Sequence, residues 1–449
     1  MAILALKEVD FLKYILIIEF YILPYTPQFG GSQRMHFLSE YLYNNSYKVC
    51  ALGAKVGIPN FFGVKPEYEM IHLPLKKRPY LILSDSIPGD NAYGKKKNLI
   101  IITRKGIKRI ARLTFDFFWN DPTSLAAFLS LLWIKDNKKQ IIEIIEKKKI
   151  DIVLISGPAF SMFKLGKTLR RVFNEKLKII FDYRDPWNTK KNKKLISLQI
   201  EKRLLDVPDK IVLASEKLVE NIGVNFGINT NRLEYVYNGF SEKSWGVVGE
   251  NRVDSFDEGK LVLLSAGACG LFHYSKKNPY PFFEAYKKFH IGKKVITRFV
   301  GVQSNEYTLE VKSEIGNDIE FFPQKPQKEV LELMTYADVN LIFNVDIKNA
   351  AFIIRGKFFD YLKANKVICG IAVPNTDFIS WIKRHKLGFY CENTIESIYS
   401  LLEKIYGLWD CGKLQEERKN CGINIDNFSR ENQNAKYKSI IEGLYVKEL

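Results

Sequence analysis

Two stretches of the chain combine reactive residue types with spacings that would put them to use. Phe181-Asp182-Tyr183-Arg184-Asp185-Pro186-Trp187 sets two carboxylates on either side of an arginine and stiffens the exit with Pro186 and Trp187. Carboxylates and a guanidinium held this way can grip sugar hydroxyls through paired hydrogen bonds. Arg184 and Trp187 are therefore candidates for acceptor contact. Asp182 and Asp185 are candidates for orienting a reacting hydroxyl, with a base role as the second option. Arg355-Gly356-Lys357-Phe358-Phe359-Asp360-Tyr361-Leu362 begins a short helix, so Lys357 stands beside backbone N–H groups that a first turn leaves unpaired. That is a cradle for a diphosphate. Asp360 lies three residues further on the same helical face, where a carboxylate can accept from a ribose diol.

Two glycine-bearing loops extend this set. Pro24-Tyr25-Thr26-Pro27-Gln28-Phe29-Gly30-Gly31-Ser32 follows an apolar run and opens a helix, so Gly30 and Gly31 would let backbone N–H groups approach a phosphate without Cβ obstruction. Gly267 precedes Lys276 and Lys277, cations that would face a diphosphate. Neither loop is GxGxxG and no Walker motif is present, so a standard dinucleotide site and a P-loop are both unsupported. The six cysteines stand far apart, without CxxC or a companion histidine, and read as reduced, buried thiols. The five histidines are dispersed too, so no protein-built metal site is expected, and no cofactor.

These residues need strands that end beside them. Short β-branched runs alternate with helical patterns over nearly the whole length, as in parallel sheets with helical crossovers. The pattern predicts strands at 14–22, 48–52, 150–155, 178–181, 210–214 and 233–237, then at 261–265, 295–300, 319–322, 339–343 and 367–372. Met35, Leu38 and Leu42, and again Ile141, Ile142 and Ile145, mark helix faces that should cover a sheet. Helices are predicted at 281–290, 328–336, 357–364, 378–385 and 395–408. The polar, aperiodic text between Glu242 and Lys260 reads as an interdomain connection. The expected division is a first domain at 1–245, a linker at 246–258, a second domain at 259–428 and a final helix at 429–449. Both domains are α/β and doubly wound, and such sheets bind ligands at the carboxyl ends of their strands, so the expected site is the cleft between domains.

With 449 residues the chain has room for two or three domains. Lys and Arg exceed Asp and Glu by 68 − 50 = 18, which favours anionic partners. Lys76 to Arg78, Lys95 to Lys97 and the stretch from Arg104 to Trp119 form a basic, aromatic-rich region. A helix here would carry Ile107, Ile110, Ala111, Phe117 and Phe118 on one side, either packing on the first domain or resting on an anionic membrane surface. The cationic stretches lack an RNP, zinc-finger or helix-turn-helix signature, so nucleic acid is not an expected partner. Lys7, Glu8, Asp10, Lys13 and Glu19 interrupt the apolar N-terminus before a membrane span is reached, so the expected location is the cytoplasm, with a peripheral place at the inner membrane face.

Taken in order, PYTPQFGGSQR, DIVLISGP, FDYRDPW, DKIVLASE, YNGF, LLSAG, LELMTYADVNL and GKFFDYLKANKVICG resemble the GT-B glycosyltransferases. They are most similar to the family 4 type that builds bacterial surface polysaccharides. The resemblance implies two Rossmann-like domains facing a central cleft and a nucleoside-diphosphate sugar held mainly by the second. The acceptor, a glycan or polyprenyl-linked glycan, would be held mainly by the first, and NFSRENQNAKYKSIIEGLY would cross back between them. It implies that Lys357 contacts the donor diphosphate, Asp360 the ribose and Gly30-Gly31 the sugar phosphate, with Gly267, Gly356 and one of Arg355, Lys276 or Lys277 completing the donor site. Relatives usually carry Glu where Asp360 stands and a second Glu where this chain has Phe352, so the EX7E signature is absent. Transfer without a metal and with retention at the anomeric carbon are likewise implied by the resemblance. A nucleotide-sugar 2-epimerase, a catalytically silent protein of the same fold, and a basic nucleic-acid-binding protein are the competing readings.

Overall fold

The computed structural model describes residues 13–20, 30–55, 66–76, 124–188, 195–248, 259–267, 279–302, 304–344, 351–418 and 423–445. By packing, the chain divides into two compact units. Unit 1 comprises 1–214, 219–236 and 434–449, and unit 2 comprises 215–218 and 237–433.

Unit 1 is built on a seven-stranded sheet of β1 Tyr14–Ile18, β2 Lys48–Lys55, β3 Glu69–Pro74, β4 Ile152–Gly157, β5 Lys178–Tyr183, β6 Lys210–Leu213 and β7 Leu233–Tyr235. The spatial order is β3-β2-β1-β4-β5-β6-β7, and every adjacent pair is parallel. Parallel strands with helices on both faces bury both rows of side chains, which is why Ile15 to Ile18 and Ile152 to Ile155 are apolar without alternation and fully buried. Met35, Leu38 and Leu42 from the helix Gly30–Asn44 pack on one face as their spacing predicts, joined there by Tyr437, Ile440 and Ile441 of the helix Arg430–Glu442. Ile141 and Ile145 of the helix Ser124–Lys148 are also buried.

Unit 2 repeats the design with β8 Leu261–Ala266, β9 Val295–Val300, β10 Ile319–Phe322, β11 Val339–Asn344, β12 Val367–Ala372 and β13 Gly388–Cys391. Their order is β10-β9-β8-β11-β12-β13, again parallel throughout. Its core is aromatic: Phe282, Phe283, Tyr286, Phe289, Phe299 and Phe343 are all buried among Val, Leu and Ile.

Several expectations are corrected. The first strand ends at Ile18, not residue 22. The edge strands β3 and β13 and the helix Glu306–Ile315 were not anticipated. An edge strand such as Glu69–Pro74 buries only Leu73 fully, so it carries no continuous apolar run to read. Cys50, Cys369 and Cys391 are buried free thiols, but Cys411 is exposed. The loop Pro24–Phe29, Lys276 and Lys277, most of the basic region before residue 120 and most of the proposed linker lie outside the described residues. Among the described residues no helix is long and apolar enough to cross a membrane.

Candidate functional site

In each sheet the winding reverses once. From β1 the chain builds outward through β2 and β3, then returns to lay β4 on the other side of β1; in unit 2 the same reversal falls between β8 and β11. The crossovers on the two sides of such a point diverge, which leaves a crevice beyond the carboxyl ends of the two central strands.

In unit 2 this edge gathers part of the expected set. The helix Gly356–Ala364 starts here, with Arg355 as its extended N-cap. Lys357 donates from Nζ to the carbonyl of Ala266, the last residue of β8, at 2.6 Å. Gly267 follows at φ +80 and is exposed, and a Cβ there would stand 3.9 Å from Lys357 Cδ. Behind it Gly301 takes φ +92, where a Cβ would lie 3.2 Å from Gly267 Cα. Tyr361 fastens the two central strands: its Oη accepts from Ala266 N at 2.9 Å and donates to Leu341 O at 3.1 Å. The result is an ammonium, a helix N-terminus and an unobstructed glycine backbone on one edge, the donor set that an anionic phosphate needs. Arg355 and Gly356 are exposed at the same helix start.

Asp360 does not join Lys357. Its Oδ1 accepts from Trp245 Nε1 at 3.2 Å. Burial raises its pKa to about 6, with Arg430 and the Trp245 hydrogen bond acting the other way. The carboxylate is thus turned toward the short helix Glu242–Trp245 and the start of the helix Arg430–Glu442.

In unit 1 the FDYRDPW stretch ends β5, and the parallel register sets Asp182 beside Ser156 of β4. Asp182 is fully buried and both its oxygens are taken. Oδ1 accepts from Arg34 Nε at 3.1 Å and Nη2 at 3.0 Å and from Tyr437 Oη at 3.4 Å, and Oδ2 accepts from Ser156 Oγ at 3.0 Å. Arg34 spends Nη1 on Val236 O at 2.7 Å. One carboxylate therefore ties together β4, β5, the first helix, the end of β7 and the final helix.

Arg184 is equally committed. Its Nε donates to Gly157 O at 3.2 Å, its Nη2 to Pro158 O at 2.7 Å, and its Nη1 lies 2.7 Å from Glu19 Oε1. Trp187 is buried and stacks on Phe160 with ring centroids 5.3 Å apart and planes 6° apart. Asp185 is partly buried in the turn between them. Gly30 and Gly31 are the first residues of the helix Gly30–Asn44. Under the turn, Glu201 of the helix Leu195–Leu205 is fully buried, and its Oε2 accepts from Asn188 Nδ2 at 2.7 Å. Burial pushes Glu201 up to about 8.

The reading of the residues missed Glu19, Arg34, Ser156, Glu201, Tyr361 and Tyr437. Glu19 had a signal: a carboxylate closing an otherwise apolar central strand falls at the edge where ligands bind. Arg34 stood inside the PYTPQFGGSQR motif without a partner to suggest itself. The others are polar groups whose partners lie far away in sequence, and no local spacing announces such pairs.

No protein-family model and no curated protein matches the chain. Solved structures do, over nearly its full length. A glycosyltransferase from Rickettsia africae aligns with a TM-score of 0.63 at 16% identity, covering 97% of this chain and 99% of its own. Sucrose-phosphate synthase from Thermosynechococcus elongatus aligns at 0.65 and 13%, covering 97% and 100%. HepE of Anabaena in complex with UDP aligns at 0.64 and 9%, covering 96% and 100%. The chain has the GT-B fold of two Rossmann-like domains, and these structural neighbours are GT-B glycosyltransferases.

Proposed function

We propose that the protein is a glycosyltransferase that moves a sugar from a nucleoside-diphosphate sugar to a hydroxyl of a glycan or lipid-linked glycan. The observation that carries this reading is the contact of Lys357 Nζ with Ala266 O at 2.6 Å, beside exposed Gly267 at the switch point of unit 2. A lysine parked on a backbone carbonyl can exchange that oxygen for a phosphate oxygen with little rearrangement. Charge that develops on the departing diphosphate is then met by the ammonium and by the helix start at Arg355-Gly356. UDP is the preferred nucleotide because HepE has been solved with UDP and with UDP-glucose. Unit 1 holds the acceptor in this reading, and the synthesis of a surface polysaccharide is the process it would serve.

The test is thermal shift against UDP, GDP, ADP and CDP. A ligand at 100 times its Kd stabilises the fold that binds it by about 2.7 kcal/mol, several degrees in melting temperature. UDP is expected to give that shift and Lys357→Met to abolish it. Absence of a shift with all four nucleotides, or a Lys357→Met variant that keeps the shift, overturns the reading. Nucleotide release from UDP-glucose that ignores added acceptor would favour an epimerase or a hydrolase instead.

A further inference from the structure

Tyr361 stands where a strand pairing stops. β8 and β11 pair only at Leu263 with Val339 and Leu264 with Asn340. Their outer pairings run on, β8 with β9 as far as Ala266 beside Val300 and β11 with β12 as far as Asn344 beside Ala372. The two central strands of unit 2 therefore part from each other before either leaves the sheet. Backbone groups along a strand turn alternately to its two neighbours. Val262 O accepts from Asp338 N just before β11, whereas Gly267 N donates to Val300 O of β9, so the alternation turns both polar groups of Ala266 toward β11. Continuing the register would bring Ala266 N to Leu341 O. Tyr361 Oη stands between them instead, accepting from Ala266 N at 2.9 Å and donating to Leu341 O at 3.1 Å. Ala266 O, the other group a continued pairing would use, accepts from Lys357 Nζ. Lys357 and Tyr361 lie one turn apart on the same face of the helix Gly356–Ala364, so a single turn takes over the edge that β11 gives up. The place they frame is open. Among the described residues, a Cβ at Gly356 would meet nothing within 4 Å, and one at Gly267 would meet only Lys357 Cδ. Tyr361 itself is fully buried.

We propose that Tyr361 is a positioning residue for the diphosphate of the nucleotide, its hydroxyl serving as the spacer that keeps β8 and β11 parted at the switch point. This rests on the glycosyltransferase reading. Without the spacer, Ala266 N can pair directly with Leu341 O, which draws Gly267 and the seat of Lys357 into the crevice that a phosphate has to enter. A hydroxyl can hold both strands because it gives one hydrogen bond and accepts another, which an apolar ring of the same shape cannot do. The arrangement also outlasts ligand binding. When Lys357 exchanges Ala266 O for a phosphate oxygen, Ala266 N stays on Tyr361, so the strand end that carries Gly267 keeps its place. Backbone donors fixed before the ligand arrives cost less affinity in ordering.

The experiment titrates UDP into the full chain by isothermal calorimetry, at a temperature where every variant is folded, and compares wild type, Tyr361→Phe and Tyr286→Phe. Tyr286 is the control for loss of a buried hydroxyl. It is fully buried in the same unit, and its Oη donates to Asp318 O at 2.8 Å beside the amino end of β10, the end of the sheet away from Gly267. Both variants are expected to fold and to melt a few degrees below wild type. Tyr361→Phe should bind UDP at least ~10-fold more weakly, the equivalent of about one hydrogen bond to a charged group, and Tyr286→Phe should stay within twofold of wild type. Equal losses of affinity in the two variants, or a Tyr361→Phe affinity within threefold of wild type, overturn the role of Tyr361. A Tyr361→Phe chain that fails to fold overturns it too, since the hydroxyl would then serve the domain rather than the site. A wild type that binds none of UDP, GDP, ADP and CDP removes the donor reading itself, and that outcome is distinguishable because it does not involve the variants.

Discussion

Glu201→Gln should make the protein more stable, and only above a certain pH. Glu201 is fully buried, its Oε2 accepts from Asn188 Nδ2, and its Oε1 has no hydrogen-bond partner. Tyr183 is close enough to feel the carboxylate, which with burial raises the phenol well above its ordinary range, yet its Oη also lacks a hydrogen bond. Burial raises Glu201 from 4.5 to about 8. Its folded pKa lies above its unfolded one, so between those values the native state holds a proton that the unfolded chain has released. Stability is therefore complete below about pH 4.5 and declines as pH rises toward 8. At about 1.4 kcal/mol per pH unit the decline totals roughly 4–5 kcal/mol. Glutamine keeps the shape, can accept from Asn188 through its carbonyl and can offer its amide to Tyr183 Oη, and it carries no charge to desolvate. Scanning calorimetry at a series of pH values should show wild type and variant melting within a few degrees of each other at pH 5 and diverging above pH 6. At pH 8 the variant should lead by roughly 10 °C, using about 2–4 °C per kcal/mol for a domain of this size. Glu19, pushed up to about 7 by burial, titrates in the same window but is common to both proteins, so the difference between the curves isolates Glu201. Curves that run parallel from pH 5 to pH 9 would refute the claim that Glu201 is forced to ionise in a dry site.

Two further substitutions probe the ties that shape the two edges. Asp182→Ala should cost about 3–5 kcal/mol in unfolding measurements by stranding the buried guanidinium of Arg34, and Asp182→Ala combined with Arg34→Met should recover much of that loss, since two apolar replacements leave no unpaired charge. Gly301→Ala sets a Cβ at φ +92 and 3.2 Å from Gly267 Cα, so it should lower stability by about 1–2 kcal/mol and weaken the UDP thermal shift by displacing Gly267.

What the residues announced and what they hid follow from the range of the forces involved. The strand Val367–Ala372 was readable to the residue because a parallel strand covered on both faces tends to be apolar throughout. Of the four edge strands β3 and β13 escaped, and Gly388–Cys391 carries Tyr390 to the surface, which breaks its apolar run. The helix that begins at Gly356 was legible because its apolar spacing is local, whereas the contact of Lys357 with Ala266, 91 residues away, was not. Asp360 shows where local reasoning ends. Its position on the helix was foreseen, but Trp245, 115 residues earlier, turns its carboxylate to a different neighbour.

The same limit explains the difference between Asp182 and Glu19. Both are carboxylates at the carboxyl ends of central strands, and spacing alone favoured Asp182 because Arg184 and Asp185 stand beside it. Arg34, Ser156 and Tyr437 arrive from elsewhere in the chain and exhaust its lone pairs, so Asp182 now works as a structural knot. Arg184 pairs with Glu19 Oε1 and with the carbonyls of Gly157 and Pro158, while Glu19 Oε2, Tyr183 Oη and Glu201 Oε1 are buried without a hydrogen-bond partner. Chemical capacity at such an edge is decided by which acceptors remain unfilled once the long-range hydrogen bonds have closed, and that count cannot be made until the fold is known.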